Sequence, residues 1–230
     1  MHITRREFCR STAAVALSLG VLGVSALPPF ESVALADPIP AAELMKPGSL
    51  PDIVMGNDKA SVIVIEYASM TCPHCAHFHE NTFPELKKRY IDTGKVRYVL
   101  RDSPLSIHPQ APKAAEAAHC AGEQSQYWAM HDVLFRNQRD LSVPALKRYA
   151  AGLGLDETKF AECLDSGRRA GEVKKEQQAA TEAGVRGTPT FFVGPSTSGG
   201  TINGRRLVGA QPLAAFQALI ESQLEAAGKD

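Results

Sequence analysis

Val62-Ile63-Val64-Ile65-Glu66-Tyr67-Ala68-Ser69-Met70-Thr71-Cys72-Pro73-His74-Cys75 is the stretch on which the fold turns. Its first four residues are an unbroken β-branched run, as expected for a central strand buried on both faces. The cysteine pair follows at once, and a helix is predicted from near Cys72 to about Tyr90, kinked by Pro84. The first cysteine then sits at a helix N-terminus, where unpaired N–H groups and the helix dipole favour negative charge. Cys72 should ionise easily and act as the nucleophile. Cys75, one turn later, faces inward and can close back on the first sulfur, which gives a reversible disulfide. Pro73 and His74, between the two, tune the balance. A donating or protonated His74 would stabilise the Cys72 thiolate, and a stable thiolate makes the disulfide a strong oxidant.

Two plainer readings compete. The pair could be an inert staple, or a metal knuckle with His77 and His79. A zinc site draws its second ligand pair from a distant segment, and His77 and His79 point to different faces of one helix. The redox reading is favoured, with no metal and no cofactor expected.

Working outward, Val96-Arg97-Tyr98-Val99-Leu100 alternates and ends before Pro104, so it reads as a second strand. From about residue 104 to 184 no strand signal appears. Ser142 and Asp156 are good N-caps there, and Gly122, Gly152, Gly167 and Gly184 are good stops, which makes four or five helices. Strand signals resume at Thr190-Phe191-Phe192-Val193. A Gly/Ser-rich loop, the hairpin dipeptide Asn203-Gly204 and a return strand at Arg206-Leu207-Val208 follow. Pro212 opens a last helix with Leu213, Phe216, Ile220 and Leu224 on one face. Strand–helix–strand demands a parallel crossover, and the hairpin is antiparallel. An α/β fold with a mixed sheet and helices on both faces satisfies both.

Other residues carry candidate roles. Pro189, in Gly187-Thr188-Pro189-Thr190, stands just before a strand, and beside a cysteine pair a cis peptide is expected there. Its missing N–H leaves the neighbouring backbone free to pair with an extended peptide, so Thr188 and Pro189 are the expected substrate-binding residues. Glu66 lies on the buried strand six residues before Cys72. A buried carboxyl near Cys75 could accept and return its proton, with Arg97 as a candidate partner. Cys120 and Cys163 fall in the helical block. They are free core cysteines or a staple between two helices, and an exported chain favours the staple. His108, His119 and His131 are scattered without metal spacing and read as structural or surface residues.

Charge and composition exclude some classes. Basic and acidic residues number 25 each, so no electrostatic footprint for nucleic acid is present. Residues 1–36 read as an export signal: Arg5, Arg6 and Arg10 precede an uncharged apolar stretch, and Ala34-Leu35-Ala36 fits a signal-peptidase site. Arg5-Arg6 also fits a twin-arginine signal. Cys9 would leave with the signal, so of five cysteines four remain.

Tyr67-Ala68-Ser69-Met70-Thr71-Cys72-Pro73-His74-Cys75, Gly187-Thr188-Pro189-Thr190-Phe191-Phe192 and Leu207-Val208-Gly209-Ala210-Gln211-Pro212 together resemble the DsbA-like thiol:disulfide oxidoreductases, in particular the alphaproteobacterial branch. The resemblance covers most of residues 53–226. It implies a thioredoxin fold over 37–103 and 184–230, interrupted by a helical insertion and connecting helix over 104–183. It implies a periplasmic protein that oxidises exported proteins carrying reduced cysteines, and a reoxidising membrane partner of the DsbB type; oligomeric state is open, with a monomer as the default. By the family pattern Cys72 attacks, Cys75 resolves, Pro189 is the cis-proline, and the Cys120–Cys163 pairing gains support. Two features depart from the pattern: a long hairpin loop over Gly194–Ile202, and Thr188, which isomerase relatives also carry before the proline.

An isomerase or reductase of the same fold is the alternative, and a non-catalytic chaperone or metal carrier is a second. The export reading predicts a mature N-terminus at Asp37. N-terminal sequencing of exported protein checks it, and a start at Met1 in the membrane fraction would overturn it.

Overall fold

The computed structural model describes residues 52–196 and 204–228. The expected export signal over residues 1–36, the lead-in that follows it and most of the hairpin loop, Asn203 included, lie outside the described residues. Strands β1 (Ile53–Gly56), β2 (Val62–Ala68), β3 (Val96–Asp102), β4 (Thr190–Pro195) and β5 (Arg205–Val208) form one sheet in the order β1-β3-β2-β4-β5. β2 and β3 run parallel, and the other neighbours are antiparallel.

β2 is the central strand, and all seven of its residues are buried. Val62, Val64 and Ala68 face the larger core with Phe78, Tyr98 and Phe191. Ile63, Ile65 and Tyr67 face a smaller one with Ala180, Val185 and Phe192. Both faces are covered, which is why the run is continuously apolar instead of alternating.

Helix α1 (Pro73–Asn81) starts directly beyond Cys72, with Pro73 at the first position, where a missing N–H costs nothing. The helix predicted to run to Tyr90 is interrupted. It breaks at Thr82 and resumes as α2 (Phe83–Leu86), followed by a π-helical turn over Lys87–Ile91. Pro84 has no N–H to donate one turn back, so the ladder fails just ahead of it. The Thr82 hydroxyl donates across the break to the Gln211 carbonyl at 3.2 Å.

Five helices separate β3 from β4: α3 (Ala111–Gly122), α4 (Tyr127–Arg136), α5 (Val143–Gly152), α6 (Glu157–Ser166) and α7 (Ala170–Glu182). Asp156 caps α6 by accepting the Lys159 N–H at 3.0 Å, and Gly167 ends that helix in the left-handed region, φ 64°. Ser142 stands at the N-cap of α5, but its hydroxyl donates to Asp140 and not to the helix. The last helix, α8 (Leu213–Ala227), buries Phe216 against Phe78 and Phe191. Among the described residues no helix is long and apolar enough to cross a membrane.

β1 was not expected, since four residues are too few to show a period. It ends at Gly56, with φ 95°, where a Cβ would meet the Val96 carbonyl oxygen at 2.5 Å. Only glycine fits.

Cys120 of α3 and Cys163 of α6 are joined, with their Cα atoms 5.7 Å apart and a sequence separation of 43. Closing a loop of that length restricts the unfolded chain by about 4 kcal/mol in the chain-entropy account. A double Cys120→Ala/Cys163→Ala variant should lose about 2–4 kcal/mol of unfolding free energy by denaturant titration. Redox turnover should survive where the fold is intact. Free thiols at both positions in air-isolated protein would overturn the pairing.

Candidate redox site

β2 delivers the chain to the head of α1, and the active turn is built there. Cys72 occupies the N-cap in an extended conformation (φ −81°, ψ 120°) and is only 3% exposed. Its pKa is pulled down to about 5. The hydrogen bond from the Cys75 thiol does most, against an opposing cost of burial. The nearby Thr188 side chain, whose buried hydroxyl has no hydrogen-bond partner among the described residues, lowers it further, as do the backbone N–H groups of Cys75 and His74. His74 therefore reaches the sulfur through its main chain, while its side chain is exposed.

Cys75 is fully buried, and its pKa is pushed well above the ordinary thiol value. Burial is the main cause, followed by its hydrogen bond to Cys72 and the nearby charge of Glu66. Two thiols one helical turn apart thus hold opposite protonation states. Neither is bonded to another sulfur in this structure.

Glu66 has no exposed surface. Its Oε2 accepts from His79 Nε2–H at 2.8 Å and from the Tyr98 hydroxyl, while Oε1 has no hydrogen-bond partner among the described residues. Burial, then the Glu66 charge, raise the Tyr98 pKa well above normal, so Tyr98 stays a donor. The expected Arg97 partner is not there. Arg97 stands opposite Ile63 in the β2–β3 register, on the other face from Glu66, and pairs with Asp58 at 3.6 Å. His77 turns away to Asn81, so it does not join His79 in a ligand set.

The helical block reaches into the turn. Gln138, just past α4, donates to the carbonyls of Met70 and Cys72, both at 2.9 Å. His108 bonds the Thr71 hydroxyl at 2.9 Å. Neither contact carried a sequence signal, because each spans more than thirty residues and uses side chains common on surfaces.

Opposite the thiols, the Thr188–Pro189 peptide bond is cis. The Cys72 sulfur lies 3.2 Å from the Thr188 carbonyl oxygen, to which it donates when protonated. The Pro189 carbonyl accepts from Gly209 N–H at 2.8 Å, which ties the loop to the end of β5.

A second polar cluster lies at the C-terminal end of β3, beside the end of β2 that leads into the active turn. Atoms of Asp102, His119 and Glu176 come within 4.8 Å of one another, a donor set that a divalent cation could use. The contacts present are protonic. His119 donates to Asp102 at 2.6 Å, and Glu176 accepts the Asp102 N–H at 2.8 Å. Burial and the Asp102 charge push the Glu176 pKa up. Burial opposes the rise at His119, but Asp102 outweighs it. His131 is buried too and His108 is half-buried, so His119 and His131 are internal structural groups.

Residues 49–222 match a family model described as Thioredoxin. The α-DsbA1 of Wolbachia pipientis superposes with a TM-score of 0.72 at 31% identity, over 81% of this chain and 97% of that one. A protein assigned as a protein-disulfide oxidoreductase in Rickettsia prowazekii is 36% identical over 62% of this chain and 54% of its own. A Na(+)/H(+) antiporter NhaA of Salinispora tropica is 40% identical over 76% of this chain. The match spans only 25% of that antiporter, so the chain corresponds to part of its curated relatives.

The thiolate geometry makes a pH prediction. Cys72 has a depressed folded pKa, so it stabilises the reduced form fully above the unfolded thiol value, and this gain is lost as pH falls through about 5. At pH 7, allowing for solvent screening, the gain is on the order of 1–2 kcal/mol. The reduced protein should unfold at higher denaturant than the oxidised protein at pH 8, with the gap closing near pH 4. His74→Ala keeps the N–H and should leave the Cys72 midpoint, read from thiolate absorbance, nearly in place. His74→Pro removes it and should raise the midpoint. Equal effects from both would show that the imidazole matters instead.

Proposed function

The chain belongs to the DsbA-like proteins of the thioredoxin superfamily, and from that premise we propose that it is a dithiol oxidase of exported proteins. The observation that carries the reading is the opposed pair of thiols: Cys72 low, Cys75 high.

In the oxidised enzyme a substrate thiolate attacks the Cys72 sulfur, and the Cys72–Cys75 bond breaks. The electron pair leaves on Cys75, which takes up a proton because its burial disfavours the thiolate. Glu66 supplies that proton. A second substrate thiolate attacks the substrate sulfur of the mixed disulfide, forms the new disulfide and expels Cys72 as a stabilised thiolate. The last step is downhill because Cys72 is a good leaving group. Thr188 and the cis-Pro189 face the reacting sulfur and would align an extended substrate segment.

The clients on this reading are unfolded polypeptides in the periplasm, reached through the export signal. A membrane partner of the DsbB type would take the electrons. Asp102, His119 and Glu176 hold protons and brace the join between β3, α3 and α7, and no metal is assigned to them.

The deciding measurement is the reduction potential of the Cys72–Cys75 pair in a glutathione redox series. It should be more positive than the about −270 mV of thioredoxin. Cys72→Ser should abolish oxidation of a reduced substrate, while Cys75→Ser should trap a mixed disulfide through Cys72. A potential at or below the thioredoxin value would move the function to reductase or isomerase.

A further inference from the structure

Cys75 and Glu66 are both sealed from solvent, yet the thiol must gain and lose one proton per cycle. The way out can be traced through nitrogens that have no other use. His79 gives its Nε2–H to Glu66 at 2.8 Å, and its Nδ1 is buried without a partner among the described residues. The His131 ring stands 4.5 Å away, centroid to centroid and nearly perpendicular. His131 gives its Nδ1–H to Asp132 at 2.9 Å, and its Nε2 is likewise buried and unpartnered. Two bare imidazole nitrogens on adjacent rings are the ends of an interrupted chain. A change of tautomer on either ring puts one hydrogen between them, directly or through one water, and completes it. Asp132 is 54% exposed and rims an open pocket with His79, Phe83, Lys87, Phe135 and Arg136.

We propose that His79, His131 and Asp132 form a proton path from the buried Glu66–Cys75 pair to solvent beside α4. The inference rests on Glu66 serving as the proton acceptor of Cys75. When Cys75 has given its proton to Glu66, His79 accepts it in its other tautomer: with Nδ1 carrying the hydrogen and Nε2 bare, Nε2 takes the Glu66 proton as the Nδ1 proton moves to His131 Nε2. The His131 Nδ1 proton then leaves through Asp132. The reverse order brings a proton in.

The surroundings fit a conduit. His79 is stacked on Phe135 at 4.7 Å and edged by Phe83, which fixes its ring. Burial, then the neighbouring His79, push the His131 pKa down to about 4, so His131 is neutral at rest and carries a proton only in passing. The charged and titratable groups around the path are Glu66 of β2, Tyr98 of β3, Asp132 and Arg136 of α4, Glu80 of α1 and Lys87 of the π-turn.

The test uses the reduced full-length protein and an aromatic disulfide that releases a coloured thiolate. In the first phase the Cys72 thiolate attacks the probe, forms Cys72–S–S–aryl and releases one aryl thiolate. In the second, Cys75 loses its proton, attacks the Cys72 sulfur and expels the other aryl thiolate. Only the second phase needs the path, so the first is the internal reference. Asp132→Asn, at an exposed position, and His131→Ala should slow the second phase roughly tenfold or more, short of the about 10²–10⁴ typical of direct acid–base groups. Added imidazole should restore the His131→Ala rate, whereas thiophene, which refills the cavity without a basic nitrogen, should not. Glu66→Gln separates the two claims. If it slows the second phase while both path variants match wild type, the path is overturned and the Glu66 role stands. If Glu66→Gln has no effect, the acceptor reading falls and the path with it. Equal rescue by thiophene would reduce His131 to packing and also overturn the proposal.

Discussion

A thiolate at the head of α1 and a neutral thiol one turn below it cannot share one environment, and the fold is arranged around keeping them apart. Cys72 sits where main-chain N–H groups are unspent, while Cys75 sits where nothing but protein surrounds it. That contrast needs a helix that starts on the first sulfur and a strand that ends directly beneath it. β2 meets the second need because it is central in the sheet and covered on both faces. Pro73 helps with the first, since it takes no N–H from the set that the sulfur uses.

The helical block is part of the active turn as much as a lid over it. Its Gln138 amide holds the carbonyls of Met70 and Cys72, which fixes the N-cap conformation on which the thiolate depends. Each such hydrogen bond is worth about 0.5–1.5 kcal/mol net. The larger effect is geometric, because a rotated Cys72 would lose its main-chain donors. The Cys120–Cys163 link joins α3 to α6 within the same block, at a distance from the reacting sulfurs. A brace there stiffens the support.

Much of this was legible in the residues. The unbroken Val62–Ile65 run, the cysteine pair after it and the mixed sheet follow from local pattern, as does the search for a carboxyl at Glu66. What local pattern does not carry is parity across strands. Arg97 looked like a partner for Glu66 because it is charged and near. In register, Leu100 stands opposite Glu66, so Tyr98 shares that face and Arg97 does not. The clue was available: Val96, Tyr98 and Leu100 form the apolar side of β3, and a lone tyrosine there has a hydroxyl to place. β1, Gln138 and the His79–Glu66 contact were beyond reach. β1 is too short for a period, and the others are chosen by tertiary packing and not by neighbours in sequence.

The two halves of the site act on different quantities. Donors around Cys72 stabilise one redox state over the other, so they set an equilibrium. On the proposed reading, the carboxyl and imidazoles behind Cys75 return each proton they borrow, so at a fixed pH they leave that equilibrium alone and govern how fast it is reached. A raised thiol pKa makes the distinction sharp. It favours the reduced form once the proton is in place, but it also means that the thiolate needed for the return attack is rare. A buried base beside it relieves that scarcity only if the base can itself exchange with solvent. Glu66 has no surface of its own, and the polar contact leading outward from it runs through His79. On that reading direction and speed can change independently, the first at the exposed turn over residues 73–74 and the second among aromatic rings under α4.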